Sequence, residues 1–125
     1  MVITQTSQCR FEIAYKDCWH NSQNIRDNCT PLSEIDWNDK VLYVSLDGLS
    51  GYAINRNTHE LTNVFSTVKG RGKTLVLQAI SQGANNLDCF DGYLVSFYSA
   101  LGFNVTKRET NWTIGHPDVV YMSTI

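Results

Sequence analysis

The segment richest in chemistry is residues 69–74, Lys69-Gly70-Arg71-Gly72-Lys73-Thr74, which stands directly before an apolar stripe of helical spacing. Closely spaced glycines let successive backbone N–H groups converge on one point. A helix starting just after them adds its unpaired first-turn donors and the positive end of its dipole. That combination binds phosphate. The plainer alternative is a solvated turn whose glycines only supply positive φ. Gly72-Lys73-Thr74 matches the end of the nucleotide-triphosphatase loop, Gly-x4-Gly-Lys-Ser/Thr, but the first glycine would fall at position 67, which is Thr67, so that motif fails.

Four cysteines, Cys9, Cys18, Cys29 and Cys89, are the next residues with chemistry of their own. An even count in a short chain is compatible with two disulfides, and sequons at Asn28, Asn104 and Asn111 superficially suit a secreted protein. The first residues, Met-Val-Ile-Thr-Gln-Thr-Ser, carry neither a basic region nor a long apolar core, so no signal peptide is expected and the protein reads as cytoplasmic, with reduced thiols. Cys9, Cys18, His20 and Cys29 lack the close pairs of a structural zinc site, so no metal is expected.

Ten basic against twelve acidic residues give a formal charge of -2 over 125 residues, without long runs of one sign. Broad electrostatic attraction to nucleic acid or anionic membrane is therefore not expected, and no apolar run approaches the roughly 20 residues of a membrane span. With 42% hydrophobic, 11% aromatic and 18% charged residues, the composition is that of an ordinary globular domain. A chain this long buries roughly two-thirds of its unfolded surface, enough to fold without staples. One domain over residues 1–125 is expected.

The elements that must position the glycine loop follow from periodicity. Residues 11–15 alternate apolar and other positions and read as a strand, and residues 17–36 accommodate one or two short helices, with Pro31 in the first turn of the second. Residues 41–46, 51–55 and 60–66 form an antiparallel meander whose first turn is Asp47-Gly48. Val76, Ala79, Ile80, Gly83 and Ala84 then give one helical face. Residues 87–90 form a strand. Leu94, Phe97, Tyr98 and Leu101 give a second helical face ended by Gly102, and residues 103–107 and 119–122 are the last strands. The fold class is α/β of the α+β kind: a central mixed, mostly antiparallel sheet of about six to seven strands flanked by about four helices.

In this order of elements the sequence resembles the GNAT superfamily of acyl-coenzyme A-dependent N-acyltransferases. Three segments carry the resemblance: Asp47-Gly48-Leu49-Ser50-Gly51-Tyr52-Ala53 as a hairpin, residues 60–65 followed by Gly70-Arg71-Gly72-Lys73 as a strand and pyrophosphate loop, and Phe97-Tyr98-Ser99-Ala100-Leu101-Gly102-Phe103 as the late Phe-Tyr-x-x-Leu-Gly-Phe signature. Compact, degenerate members of this kind occur among phage and mobile-element proteins, an origin in keeping with this length.

The resemblance implies acetyl-coenzyme A as co-substrate and an amine of unspecified class as acceptor, with direct transfer in a ternary complex. It implies that the backbone of Val64, Phe65 and Ser66 pairs with the pantetheine arm. Gly70, Arg71, Gly72, Lys73 and Thr74 would then hold pyrophosphate, in a motif whose usual Gln or Arg is replaced by Thr67, with Arg71 partly making up the charge. It further implies that Tyr98 protonates the departing thiolate, a task for which a phenol is suited. Glu60 would take the amine proton, with His59 and His116 as less supported bases. An Asn that the family often places seven residues before the Tyr is Asp91 here. The acceptor pocket would fall to residues 17–40 and 109–118, where Trp19, Trp37 and Trp112 are either lining or buried anchors. The departures at Thr67 and Asp91 motivate an alternative: a catalytically degenerate GNAT-like binding or structural protein.

Overall fold

A computed structural model describes residues 1–124. Along the chain it forms β1 (Ile3–Thr6), α1 (Gln8–Asn21), α2 (Gln23–Asn28), a 3-10 turn (Leu32–Glu34), β2 (Lys40–Ser45), β3 (Ser50–Asn55), β4 (Leu61–Ser66), α3 (Gly72–Ser81), β5 (Asn86–Phe90), α4 (Tyr93–Ala100), β6 (Asn104–Glu109) and β7 (Val119–Ser123). The strands lie in two antiparallel sheets, β1-β2-β3-β4 and β5-β7-β6. They meet at one parallel bridge, Glu60 with Asn86. The mixed, mostly antiparallel architecture expected from the sequence is therefore present, divided into halves of four and three strands.

Residues 11–15 are a correction: they belong to α1, not to a strand. Phe11, Ala14, Tyr15 and Cys18, at i, i+3, i+4 and i+7, are its buried face, whereas Ile13 is 66% exposed. A five-residue window holds too little of either period to separate alternation from a helical stripe. Ser7 caps the helix, accepting a bond from the Arg10 N–H at 3.3 Å. The first strand instead is Ile3–Thr6, pairing Ile3 with Ser45 and Thr6 with Leu42.

The meander forms as expected. Alternation along β3 divides the core: Tyr52 and Ile54 face α3 and α4, together with Leu61, Leu75, Val76, Leu87, Phe103 and Val120, while Ala53 faces α1. On the α1 side, Phe65 stands edge-on to both Phe11 and Tyr15, at 5.6 and 5.1 Å between ring centroids. Gly51 is required where it stands, since a Cβ there would meet the Tyr43 carbonyl oxygen and, at 2.9 Å, the Phe65 ring. Between Gly51 and Ala53 the β3–β4 register shifts, and Asn63 takes a φ of 56°. This bulge in β4 bends the strand next to the junction of the two sheets.

The helical stripe of residues 76–84 is shorter than its spacing suggests. α3 ends at Ser81, so Gly83 and Ala84 lie beyond it; Gly83, at φ 103°, turns the chain and Ala84 packs into the core from the loop. Gly102, also at φ 103°, ends α4 as expected. Phe103 plugs the core just before β6 begins at Asn104.

Candidate functional site

β4 and β5 run parallel, touch at Glu60 and Asn86, and then part company: one is hydrogen-bonded only into the first sheet, the other into the second. Between them opens a cleft of about 720 Å³, bounded by β4, β5, α2 with its following turn, the start of α3, and α4. On its cleft side β4 is an edge strand past the bridge, presenting backbone donors and acceptors to whatever enters. Val64, Phe65 and Ser66 lie on that edge. The Phe65 ring itself points away into the α1 core. The Cys29 thiol donates to the Val64 carbonyl at 3.3 Å, and Lys40 Nζ donates to Asn63 Oδ1 at 2.9 Å, so the bulge is held by groups from outside the strand. The Tyr93 hydroxyl, bonded to Asn24 Oδ1 at 3.2 Å, ties α4 to α2 across the opening.

At one end the cleft meets the glycine loop. Ser66 Oγ accepts from the Val68 N–H at 3.1 Å and donates to the Val68 carbonyl at 2.9 Å, turning the chain out of β4. Gly70 then takes a φ of 89°, which a side chain would strain. α3 begins with Arg71 at the cap position and no side-chain cap, and its first turn closes with the Leu75 N–H on the Arg71 carbonyl at 3.0 Å. The N–H groups of Gly72, Lys73 and Thr74 consequently have no intrahelical acceptor. A Cβ on Gly72 would stand 3.2 Å from the Phe97 ring, so this glycine keeps the helix end open. An uncapped helix start facing a cleft through a glycine suits a pyrophosphate.

Side chains of this segment are placed less uniformly than the sequence suggests. Gly70 and Gly72 line the cleft with Lys69. Lys73 and Thr74 are exposed and sit outside its lining, so only their backbone, at the helix end, is turned toward it. Arg71 departs from its expected role. Its guanidinium turns to the β2–β3 hairpin, where Nη2 lies 2.6 Å from Asp47 Oδ2 and Nη1 donates to Asp47 Oδ1 and Ser50 Oγ at 3.0 and 3.1 Å. A guanidinium held by a carboxylate is not available to replace the missing Gln or Arg charge. Thr67, at that motif position, extends the hairpin contact, with both its N–H and its hydroxyl donating to the Leu49 carbonyl.

Tyr98 lies deep in the middle of the cleft wall, 8% exposed, its ring edge-on to Phe97 and Phe103. Its hydroxyl has no hydrogen-bond partner among the described residues. Burial, with the nearby Cys89 and Cys29 thiols, pushes its pKa well above the usual phenol value, so it holds its proton throughout the neutral range. Glu60 stands at the β4–β5 junction. Burial and the Asp88 carboxylate raise its pKa, against the pull of Lys40, which moves a carboxylate toward proton exchange nearer neutrality. Burial raises Asp88 too and lowers Lys40. Cys29 and Cys89 also line the cleft, both pushed to about 11 chiefly by burial, and so remain thiols. All four cysteines are unpaired.

Several expected participants stand elsewhere. Asp91 is exposed and paired with Arg108 at 3.1 Å rather than facing the cleft. His59 and His116 are exposed and do not line it. Trp19 stacks on Tyr15 and Trp37 packs edge-on to Phe11, so both are anchors of the α1 core, while Trp112 is 86% exposed in the β6–β7 loop. Periodicity gives no notice of Lys40, Thr62 or Asp88 as cleft residues. Asp88 leaves one trace, a polar residue amid the otherwise apolar strand Leu87-Asp88-Cys89-Phe90.

No family model matches the sequence, and comparison with curated proteins gives no match. Solved structures do match, and they define the class: the fold is that of the GNAT N-acetyltransferases. The ribosomal-protein-S18-alanine N-acetyltransferase of Escherichia coli superposes with a TM-score of 0.68 at 16% identity, covering 97% of this chain and 90% of that one. A Bacillus subtilis acetyltransferase solved in complex with CoA gives 0.65 at 18% identity, covering 96% and 95%. A putative N-acetyltransferase from Lactobacillus plantarum gives 0.63 at 17%, covering 98% and 96%. No helix among the described residues is long and apolar enough to cross a membrane.

Proposed function

We propose that this protein transfers an acetyl group from acetyl-coenzyme A to a primary amine by direct attack within a ternary complex. The observation that carries this reading is the opening between β4 and β5, with an uncapped helix start at one end and in its wall the largely buried Tyr98, whose hydroxyl is unpartnered among the described residues. The bound CoA of the Bacillus subtilis protein of the same fold supports the choice of co-substrate. When bound, acetyl-coenzyme A supplies an activated thioester carbonyl.

The chain's own groups divide the work. N–H groups of Gly72, Lys73 and Thr74 with the helix dipole hold the pyrophosphate, and Gly70 and Gly72 let it approach the backbone. The β4 edge from Val64 to Ser66 orients the extended arm. Glu60 accepts the amine proton, directly or through water, and Tyr98 keeps a proton ready for the thiolate as it leaves. One set of observations favours the degenerate alternative: Thr67 and Arg71, the positions where a side chain would assist the phosphates, are both engaged with the hairpin.

Thermal-shift and calorimetric titration with acetyl-coenzyme A separates the readings. Ligand at about 1,000 times a micromolar dissociation constant adds about 4 kcal/mol of stability. A clear rise in melting temperature is expected for the natural chain and its loss for Gly72→Glu, whose side chain would meet Phe97 and carry a negative charge to the helix start. An unchanged melting temperature of the natural chain removes the acetyltransferase reading and leaves the degenerate one.

A further inference from the structure

The cleft has opposite electrical ends. Lys69 and the open helix start form one. At the other, Glu34, Asp36, Glu60 and Asp88 line the wall with a single cation among the described residues, Lys40. None of these four carboxylates is in an ion pair among the described residues; the ion pairs there are Arg71–Asp47, Lys107–Glu109 and Arg108–Asp91. Lys40 spends a hydrogen bond on Asn63 Oδ1 instead. Four such carboxylates against one ammonium in a concave wall repel each other and attract a cation.

Two polar groups in the same cleft show that it is made to receive a ligand. The Tyr98 side chain is more than nine-tenths buried, its hydroxyl has no hydrogen-bond partner among the described residues, and it feels the Asp88 charge. The Thr62 hydroxyl, on β4 between Glu60 and the bulge, is sequestered from solvent and lacks a hydrogen-bond partner among the described residues. Buried hydroxyls are ordinarily bonded, and a sequestered orphan on the same cleft wall as the Tyr98 hydroxyl fits a polar occupant.

We infer that the acceptor is a molecule with at least two cationic amines, one reacting beside Glu60 while the other is held by the Glu34 and Asp36 end of the cleft. This rests on the acetyl-transfer reading above and deepens it. A second charge is required by the chemistry. The reacting nitrogen must lose its proton before it attacks, so it gives up its own attraction to the carboxylates at the decisive moment. Only a separate ammonium on the same molecule keeps that attraction through the reaction. A neutral tail would leave the acidic end unsatisfied, and a carboxylate tail would be repelled.

Three acceptors of equal length test this: 1,5-diaminopentane, 1-aminopentane and 5-aminopentanoate, each assayed with acetyl-coenzyme A by mass spectrometry of the product. The diamine should exceed the monoamine in kcat/KM by about tenfold or more, and the monoamine should exceed the amino acid. Raising salt to about 0.5 M should shrink the advantage. E34Q/D36N changes two exposed positions and should bring the diamine toward the monoamine while keeping the melting temperature of the natural chain. Equal use of diamine and monoamine, an advantage indifferent to both salt and E34Q/D36N, or acetyl-coenzyme A binding without acetylation of the diamine overturns the inference while the co-substrate reading stands. Calorimetry on the same preparation showing no acetyl-coenzyme A binding overturns both.

Discussion

Tyr98 is proposed to carry two roles at once, and a single atom separates them. Its ring packs against Phe97 and Phe103, which any aromatic residue would satisfy, while its hydroxyl has no structural partner among the described residues. Tyr98→Phe should therefore leave the melting temperature close to that of the natural chain and lower kcat about 10²–10⁴-fold, the range for a lost general acid. Full turnover in that variant would rule out the proton role. At the same scale, Glu60 has a pKa raised above the ordinary carboxylate value. Its base form accumulates as pH rises through that raised value, so the acidic limb of the rate profile should lie above pH 4.5 and vanish in Glu60→Gln. An acidic limb that persists in Glu60→Gln assigns it to another group. The roles proposed for both positions rest, in the sequence, on the resemblance alone, because neither a tyrosine on an apolar face nor a glutamate at a strand start is distinctive by itself.

Among elements, the glycine loop is held by the β2–β3 hairpin rather than by itself. Asp47 accepts from the Ser45 hydroxyl at 2.6 Å, the Leu49 N–H at 3.1 Å and both Arg71 nitrogens, while Ser45 and Ser50, both buried, bond each other at 3.0 Å. The Arg71 bonds and the Ser45 and Leu49 donors hold the Asp47 carboxyl well below the usual range. A depressed carboxylate contributes stability that is fully present above its unfolded pKa of about 4 and is lost as pH falls from there toward the depressed folded value. In Asp47→Asn, the loss of acetyl-coenzyme A affinity should appear at neutral pH, whereas the natural chain should lose affinity only in acid. Equal affinity of the D47N variant and the natural protein at neutral pH would show that the clamp does not set the loop. Helix α1 makes the companion point about legibility. Its stripe at Phe11, Ala14, Tyr15 and Cys18 is written in the sequence, yet a short window with Ile13 reads as alternation, and only the burial of Ala14 and Cys18 decides the period.

For the molecule as a whole, one sheet serves two cores. The α1 core, built on Phe11, Tyr15 and Phe65, holds the first sheet and the α2 wall of the cleft; the other core joins α3 and α4 to both sheets. Phe11 is fully buried against three aromatic rings, so Phe11→Ala should cost about 3–5 kcal/mol. Chemical denaturation measures this, and a loss below about 1 kcal/mol would show that α1 is not integral to the fold. The same division explains the cleft: antiparallel pairing completes itself within each sheet, leaving β4 and β5 joined at Glu60 and Asn86 and open beyond.

Local pattern alone specified the meander, both later helices, the glycine loop at a helix start and the Gly102 stop, because each is a matter of period, turn residue or cap within a few neighbouring positions. It took tertiary packing to turn Arg71 onto Asp47 and to set Trp37 against Phe11, and the meeting of the two sheets to bring Glu34, Asp36, Glu60 and Asp88 around one cleft. Those arrangements join residues from distant parts of the chain, whose partners no local period encodes; they exist only once helices, hairpin and sheets have packed together.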